Sequence, residues 1–158
     1  MTSKPNLKIC SVDPTRPEAL ALIEELDRLQ TALYPDESNH LEPAADLTKP
    51  DYHFLGVYAD ETLVACGAVR TVDGSYGELK RMYVSPDHRR RGIARILLTA
   101  LEDHVRALDI DTVRLETGIY QQEALSFYAA NGYRRVAPFG PYRTDPLSVF
   151  MEKRLDNQ

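Results

Sequence analysis

The sequence predicts an α/β fold, in the sense of an α+β arrangement: a central mixed sheet flanked by helices. Two observations carry this prediction. Short stretches with alternating or continuous apolar character recur along the 158 residues, and three other stretches repeat apolar residues at helical spacing. The two kinds interleave as β-α-(α)-β-β-β-α-β-α-β-β rather than falling into separate blocks, which is the order of a layered sheet with helices packed on it. A chain of this length folds most economically as one domain spanning 1–158.

Leu7 to Val12 alternates apolar and polar residues and predicts a first strand, ended by Asp13-Pro14. Pro17 stands where proline opens a helix and Glu18 falls in the first turn. An apolar stripe of Leu20, Ile23, Leu26, Leu29 or Gln30, and Leu33 then carries that helix to about Tyr34. Residues 35–50 are polar and acidic with three prolines, a surface loop with room for a short helix near Ala44 to Leu47. Tyr52 to Tyr58 and Leu63 to Val72 predict a second and third strand joined by a polar hairpin turn. After the turn Asp73-Gly-Ser-Tyr-Gly77, a fourth strand covers Glu78 to Val84. A long helix follows from about Arg91 to Leu108, with Ile93, Ile96, Leu97, Ala100, Leu101, Val105 and Leu108 on its apolar face. Asp111 to Thr117 is a fifth strand. Gln121 to Asn131 is a shorter helix stopped by Gly132, and Tyr133 to Ala137 and Leu147 to Lys153 are final strands joined by a proline-stiffened loop.

The junction of the fourth strand and the long helix is built for an anion. First-turn N–H groups of a helix lack intrahelical partners and sit at the positive end of its dipole. Arg89, Arg90 and Arg91 add charge there, while Gly92 and Ala94 keep side-chain bulk away from the backbone. A phosphate or pyrophosphate is the expected ligand. The whole chain is acidic, with 19 Lys plus Arg against 24 Asp plus Glu and a formal charge of −5, so this basic cluster is local and no nucleic-acid partner is expected.

Val84, Arg89, Gly92 and Ala94 have the spacing V-x-x-x-x-[QR]-x-x-G-x-[GA], which resembles the acetyl-CoA pyrophosphate loop of the GNAT superfamily of N-acetyltransferases. Downstream, Ala124-Leu-Ser-Phe-Tyr128 followed by Asn131-Gly132-Tyr133 is similar to the superfamily's pattern A-x-x-x-Y-x-x-x-G-[FY]. The resemblance is most specific from Glu78 to Tyr133 and weakest over the first 50 residues. It implies the GNAT fold, a mixed but mostly antiparallel sheet whose fourth and fifth strands splay around acetyl-CoA, the co-substrate. It places cofactor binding on Met82, Tyr83, Val84, Arg89, Arg90, Arg91, Gly92, Ile93 and Ala94. Gln121 stands where many members have an asparagine that contacts the cofactor.

The chemistry implied is direct acetyl transfer to a primary amine. An aliphatic ammonium with a pKa near 10 is about three orders of magnitude short of free amine at neutral pH, a deficit of roughly 4 kcal/mol, so a base is required. By resemblance Glu78 is that base, acting directly or through water. Backbone N–H groups around Met82 to Val84 hold the oxyanion, and Tyr128 is the acid that protonates the leaving thiolate. A non-catalytic acyl-CoA-binding regulatory module is the alternative; it needs neither Glu78 nor Tyr128.

Other chemistries lack their residues. Asp73-Gly-Ser-Tyr-Gly77 is without the first glycine of G-x-S-x-G, no G-K-[ST] follows the basic loop, and the four histidines and two cysteines have no metal spacing. No metal is therefore expected. Cys10 and Cys66 fall in strand segments and are expected to be reduced. Met1 to Asn6 carries no apolar run and no segment is long enough to span a bilayer, so a cytoplasmic protein without membrane association is expected. The acceptor is a small-molecule or peptide amine, and a homodimer is compatible with this reading. Tyr34, the acidic loop, Glu116, Tyr120, Tyr142 and Arg143 fall on the expected acceptor side, and acidity there suits a cationic substrate.

Overall fold

The computed structural model describes residues 4–38 and 41–156. Seven strands form one sheet: β1 (Leu7–Ser11), β2 (Tyr52–Ala59), β3 (Thr62–Val72), β4 (Tyr76–Val84), β5 (Thr112–Gly118), β6 (Arg134–Val136) and β7 (Ser148–Arg154). Their spatial order is β1-β2-β3-β4-β5-β7-β6. Every neighbouring pair is antiparallel except β4 and β5, which are parallel because helix α2 (Ile93–Ala107) crosses between them. The mixed, mostly antiparallel sheet expected of the sequence is therefore present.

Helices α2 and α3 (Gln122–Ala130) cover one face of the sheet. Leu97, Leu101 and Val105 of α2 and Leu125 and Tyr128 of α3 share a core with Val57, Val69, Leu79, Val113 and Leu115. Helix α1 (Pro17–Leu33) covers the other face, where Ala19, Leu22 and Ile23 meet Phe54, Leu63, Cys66 and Ala68, with Leu47 from a short 3-10 turn (Ala44–Thr48) closing the layer.

The buried stripe of α1 is Ala19, Leu22, Ile23 and Leu26, against the predicted Leu20, Ile23, Leu26, Leu29 or Gln30, and Leu33. The four-residue step from Leu26 continues to Gln30, so the end of the helix presents a polar amide, not Leu29, to the space beneath it. In α2 the predicted Ile96 and Leu108 are exposed and Leu98 and Glu102 are buried instead. Glu102 is tolerated inside because the Lys153 ammonium lies 3.1 Å away and the Tyr133 hydroxyl donates to it at 2.7 Å. The long helix starts at Ile93, two residues later than predicted, because Gly92 has φ +77° and the chain turns helical only after it.

Candidate active site

Strands β4 and β5 pair only at Gly77 with Val113, Glu78 with Arg114 and Leu79 with Leu115. Beyond Leu79 and Leu115 they part, and the separation opens a cleft whose β4 side carries backbone groups with no strand partner on β5. A bulge makes β4 turn at the same level. Cys66 faces Tyr83 and Ala68 faces Lys80, so β4 spends three steps where β3 spends two, and Arg81 sits at φ +57°. That conformation is costly for a non-glycine residue. It persists because the buried Arg81 guanidinium is held by the Asp27 carboxylate of α1 and donates to the Glu42 carbonyl at 2.5 Å. The Cys66 thiol donates to the Arg81 carbonyl at 3.5 Å, and burial pushes that thiol's pKa up to about 12, so it stays a reduced donor.

At one end of the cleft is the basic loop. After Val84 a 3-10 turn (Pro86–His88) leads to Arg89, whose Nε donates to the Val84 carbonyl at 2.9 Å and whose guanidinium lies 5.5 Å from the centre of the Tyr83 ring. Arg90 at φ +63° and Gly92 at φ +77° turn the backbone into a concave nest. No side chain caps the first turn of α2, and a Cβ on Gly92 would point into open space. Uncapped N–H groups, a nest and the exposed Arg90 and Arg91 are what a pyrophosphate requires. Ile93 is buried, so only its N–H faces that side. Arg89 is turned back onto its own strand, a geometry that holds the loop in shape. Met82 and Val84 pack their side chains on the core, while the Tyr83 hydroxyl donates to Glu25 at 3.0 Å.

At the other end is an acidic pocket lined by Ser38, Leu41 and Glu42 from the segment between α1 and β2 and by Tyr142 and Leu147 from the segment before β7. Glu78, only 4% exposed, accepts from the Tyr142 hydroxyl at 2.5 Å and lies 3.5 Å from the Lys80 ammonium. Lys80 also pairs with Glu42, which accepts from the Tyr52 hydroxyl. The Ser38 hydroxyl donates to Asp145 at 2.7 Å and ties the two loops together. Glu116, one residue past the last paired position of β5, lines the same pocket. Burial pushes its carboxyl up to about 7, with Glu78 and Asp145 adding to the effect against the hydrogen bond from Ser148 and the charge of Lys80.

Gln121 also lines this pocket. Its Oε1 is met by the Gly118 N–H at 3.2 Å and by Gln30 Nε2, the Tyr34 hydroxyl and the Thr117 hydroxyl, each at 3.4 Å. Its carbonyl oxygen is thus committed to joining α1 to the β5–α3 turn. Tyr34 in turn accepts the Tyr120 N–H at 3.1 Å and stacks on the Tyr120 ring with centroids 5.6 Å apart.

Tyr128 lies apart from the acidic pocket, in the core shared by α2 and α3. Its ring packs edge-on against Phe127 and Tyr133, burial raises its pKa above the ordinary tyrosine value, and among the described residues no hydrogen bond reaches its hydroxyl. Of the residues expected from the sequence, Glu78, Glu116, Tyr34, Tyr142 and Gln121 are brought together, and Arg143 does not line the pocket. Lys80, Arg81 and Gln30 were not expected in the site, whereas Glu42 belongs to the acidic loop that the sequence places on the expected acceptor side.

Residues 19–133 match the acetyltransferase (GNAT) family. The chain belongs to that family. It is 46% identical over 152 residues to an IAA acetyltransferase of Azospirillum brasilense, covering 96% of this chain and 99% of that one. An uncharacterised N-acetyltransferase of Bacillus subtilis (strain 168) is 31% identical over 90% of this chain and 96% of its own. Among solved structures, a Klebsiella pneumoniae protein named as an acyl-CoA N-acyltransferase superposes with a TM-score of 0.80 at 40% identity, covering 95% and 98% of the two chains. The fold also matches that of a Thermoplasma acidophilum N-acetyltransferase in complex with coenzyme A, at a TM-score of 0.73 and 21% identity over 94% and 98%. This GNAT enzyme is an acetyltransferase, and the parting of β4 from β5 lies within the segment that the family covers. Among the described residues, no helix is long and apolar enough to cross a membrane and no group of three or more metal-ligating side chains occurs.

Proposed function

We propose that this GNAT acetyltransferase moves the acetyl group of acetyl-CoA to a primary amine by direct attack. The observation that carries this is the cleft between β4 and β5, which has an anion nest at one end and a carboxylate-lined pocket at the other. The nest formed by Arg90 to Ala94 takes the pyrophosphate, and the unpaired backbone of Met82 to Val84 faces the pantetheine arm and the developing oxyanion. The likeness to a relative that binds coenzyme A supports this placement.

Glu78 takes the proton of the incoming ammonium, directly or through a water, and the freed amine forms its bond to the acetyl carbon. The carbon–sulfur bond then breaks, the Tyr128 hydroxyl gives a proton to the departing thiolate, and the second proton shed by the nitrogen as the amide forms replaces it through solvent. Tyr142 and Lys80 hold the Glu78 carboxylate in one orientation. Support for the donor role comes from the position of Tyr128 in the A-x-x-x-Y-x-x-x-G-[FY] pattern; the burial that raises its pKa keeps the hydroxyl protonated but makes it a weaker acid.

An amine panel with acetyl-CoA, monitored by thiol release, tests the proposal: at least one class of primary amine is expected to release thiol faster than water does. Coenzyme A should stabilise the protein by about 2.7 kcal/mol at a hundredfold excess over its dissociation constant. Stabilisation without thiol release from any amine would favour the non-catalytic acyl-CoA-binding alternative.

A further inference from the structure

The charges around the acceptor pocket do not balance, and the imbalance bears on the substrate. This step rests on the acetyl-transfer reading, in which the pocket beside Glu78 receives the amine. Arg81 is closed onto Asp27, and Lys80 is a single cation shared by Glu42 and Glu78. Glu116, from β5, has no ion pair with a cation among the described residues, and the nearby Ser148 hydroxyl and Lys80 charge offset its burial only in part. Among the described residues the pocket lining thus holds three carboxylates, Glu42, Glu78 and Glu116, against the one Lys80 ammonium, and neither Lys80 nor Arg81 is left to receive an acidic substrate group. Burial makes such an excess expensive until a ligand neutralises it. The Tyr34 ring also lines the pocket, stacked on the half-exposed Tyr120, and supplies an aromatic face of the kind that attracts ammonium groups.

We infer that the acceptor carries two cationic groups and no carboxylate, that is, a diamine or polyamine, with the reacting ammonium at Glu78 and the second at Glu116. Zwitterionic amino acids are disfavoured because their carboxylate would enter a pocket in which, among the described residues, every cation is already paired.

The electrostatics around Glu116 make the inference pH-sensitive in a defined direction. Glu78 and Lys80 face it from β4, Asp145 and Ser148 from the loop before β7 and its first residue, Tyr142 from the same loop and Tyr34 from the end of α1. With the carboxyl pushed up to about 7, a bound cation favours the ionised form, so binding expels a proton and affinity for a dication rises as pH climbs through about 7. The substrate ammonium groups themselves stay charged over that range.

The test uses the protein saturated with coenzyme A and titration calorimetry with butylamine, putrescine and ornithine, which share a four-carbon amine arm. Putrescine is expected to bind about tenfold or more tightly than either of the others at pH about 8. That preference should shrink at pH about 6 and collapse in Glu116→Gln, whose melting curve checks that the variant is folded. Putrescine binding no more tightly than butylamine, or a preference that survives in Glu116→Gln, would overturn the inference. Equal affinities with acetyl transfer intact would remove the charge assignment alone, whereas absence of thiol release with every amine would remove the acetyl-transfer reading.

Discussion

Replacing Gly118 with alanine strikes the wall between α1 and β5, and the structure sets the size of the blow. The new Cβ would lie 1.7 Å from the Tyr34 hydroxyl oxygen and 2.0 Å from Cζ of the same ring. A tolerable carbon–oxygen contact is about 3.2 Å, so the Tyr34 hydroxyl must retreat by roughly 1.5 Å. It has little space to do so, being only 5% exposed, stacked on Tyr120 and bonded to the Tyr120 N–H and Gln121 Oε1. Overpacking of this kind costs about 1–3 kcal/mol; at about 2 kcal/mol, a chain of this size loses about 4–8 °C in Tm. Because φ at Gly118 is not in the left-handed region, the entire penalty is steric and Tyr34 carries it. In a Tyr34→Ala background the same substitution should cost nothing or stabilise by a few tenths of a kcal/mol through the unfolded chain. A double-mutant cycle from denaturant melts should therefore return a coupling of about 2 kcal/mol, and acceptor KM should rise in Gly118→Ala while coenzyme A affinity holds. An equal penalty in both backgrounds would refute the reasoning.

Other outcomes follow from the same geometry. Tyr128→Phe removes a hydroxyl that has no partner among the described residues, so melting temperature should change by little while turnover falls about tenfold to a thousandfold; unchanged turnover would take Tyr128 out of the acid role. Arg90→Glu places a negative charge on the nest and should weaken coenzyme A affinity at least tenfold, measured by calorimetry, without moving acceptor preference. Glu102→Ala leaves Lys153 and the Tyr133 hydroxyl without their buried partner and should cost about 3 kcal/mol in a denaturant melt, with no effect on either KM.

Most of the fold could be read along the chain. Pro17, Gly92 and Gly132 mark where helices begin or end because their backbone restrictions act on their own position, and the apolar stripes of α1 and α2 act over one or two turns. The reading stayed open where a stripe had two equivalent continuations. Leu29 and Gln30 each extend the α1 pattern, and only the pocket beneath the last turn explains why the amide faces inward. Buried Glu102 escaped notice for a related reason: its partners Tyr133 and Lys153 lie 31 and 51 residues away, and no local pattern signals them.

The basic loop, the strand before it and the order of elements around it were determined by the sequence itself, since a nest and an open helix N-terminus depend only on consecutive residues from Val84 to Ala94. The carboxylate-lined pocket was decided by tertiary structure. Glu78 meets Tyr142 across 64 residues of chain, Lys80 meets Glu42 across 38, and Gln121 reaches Gln30 across 91. Which carboxylates share the Lys80 ammonium and which has no such partner among the described residues is a property of how the loops pack beside β4 and β5. Backbone conformation answers to near neighbours, but charge compensation in a buried pocket answers to whatever the whole fold brings within a few ångströms.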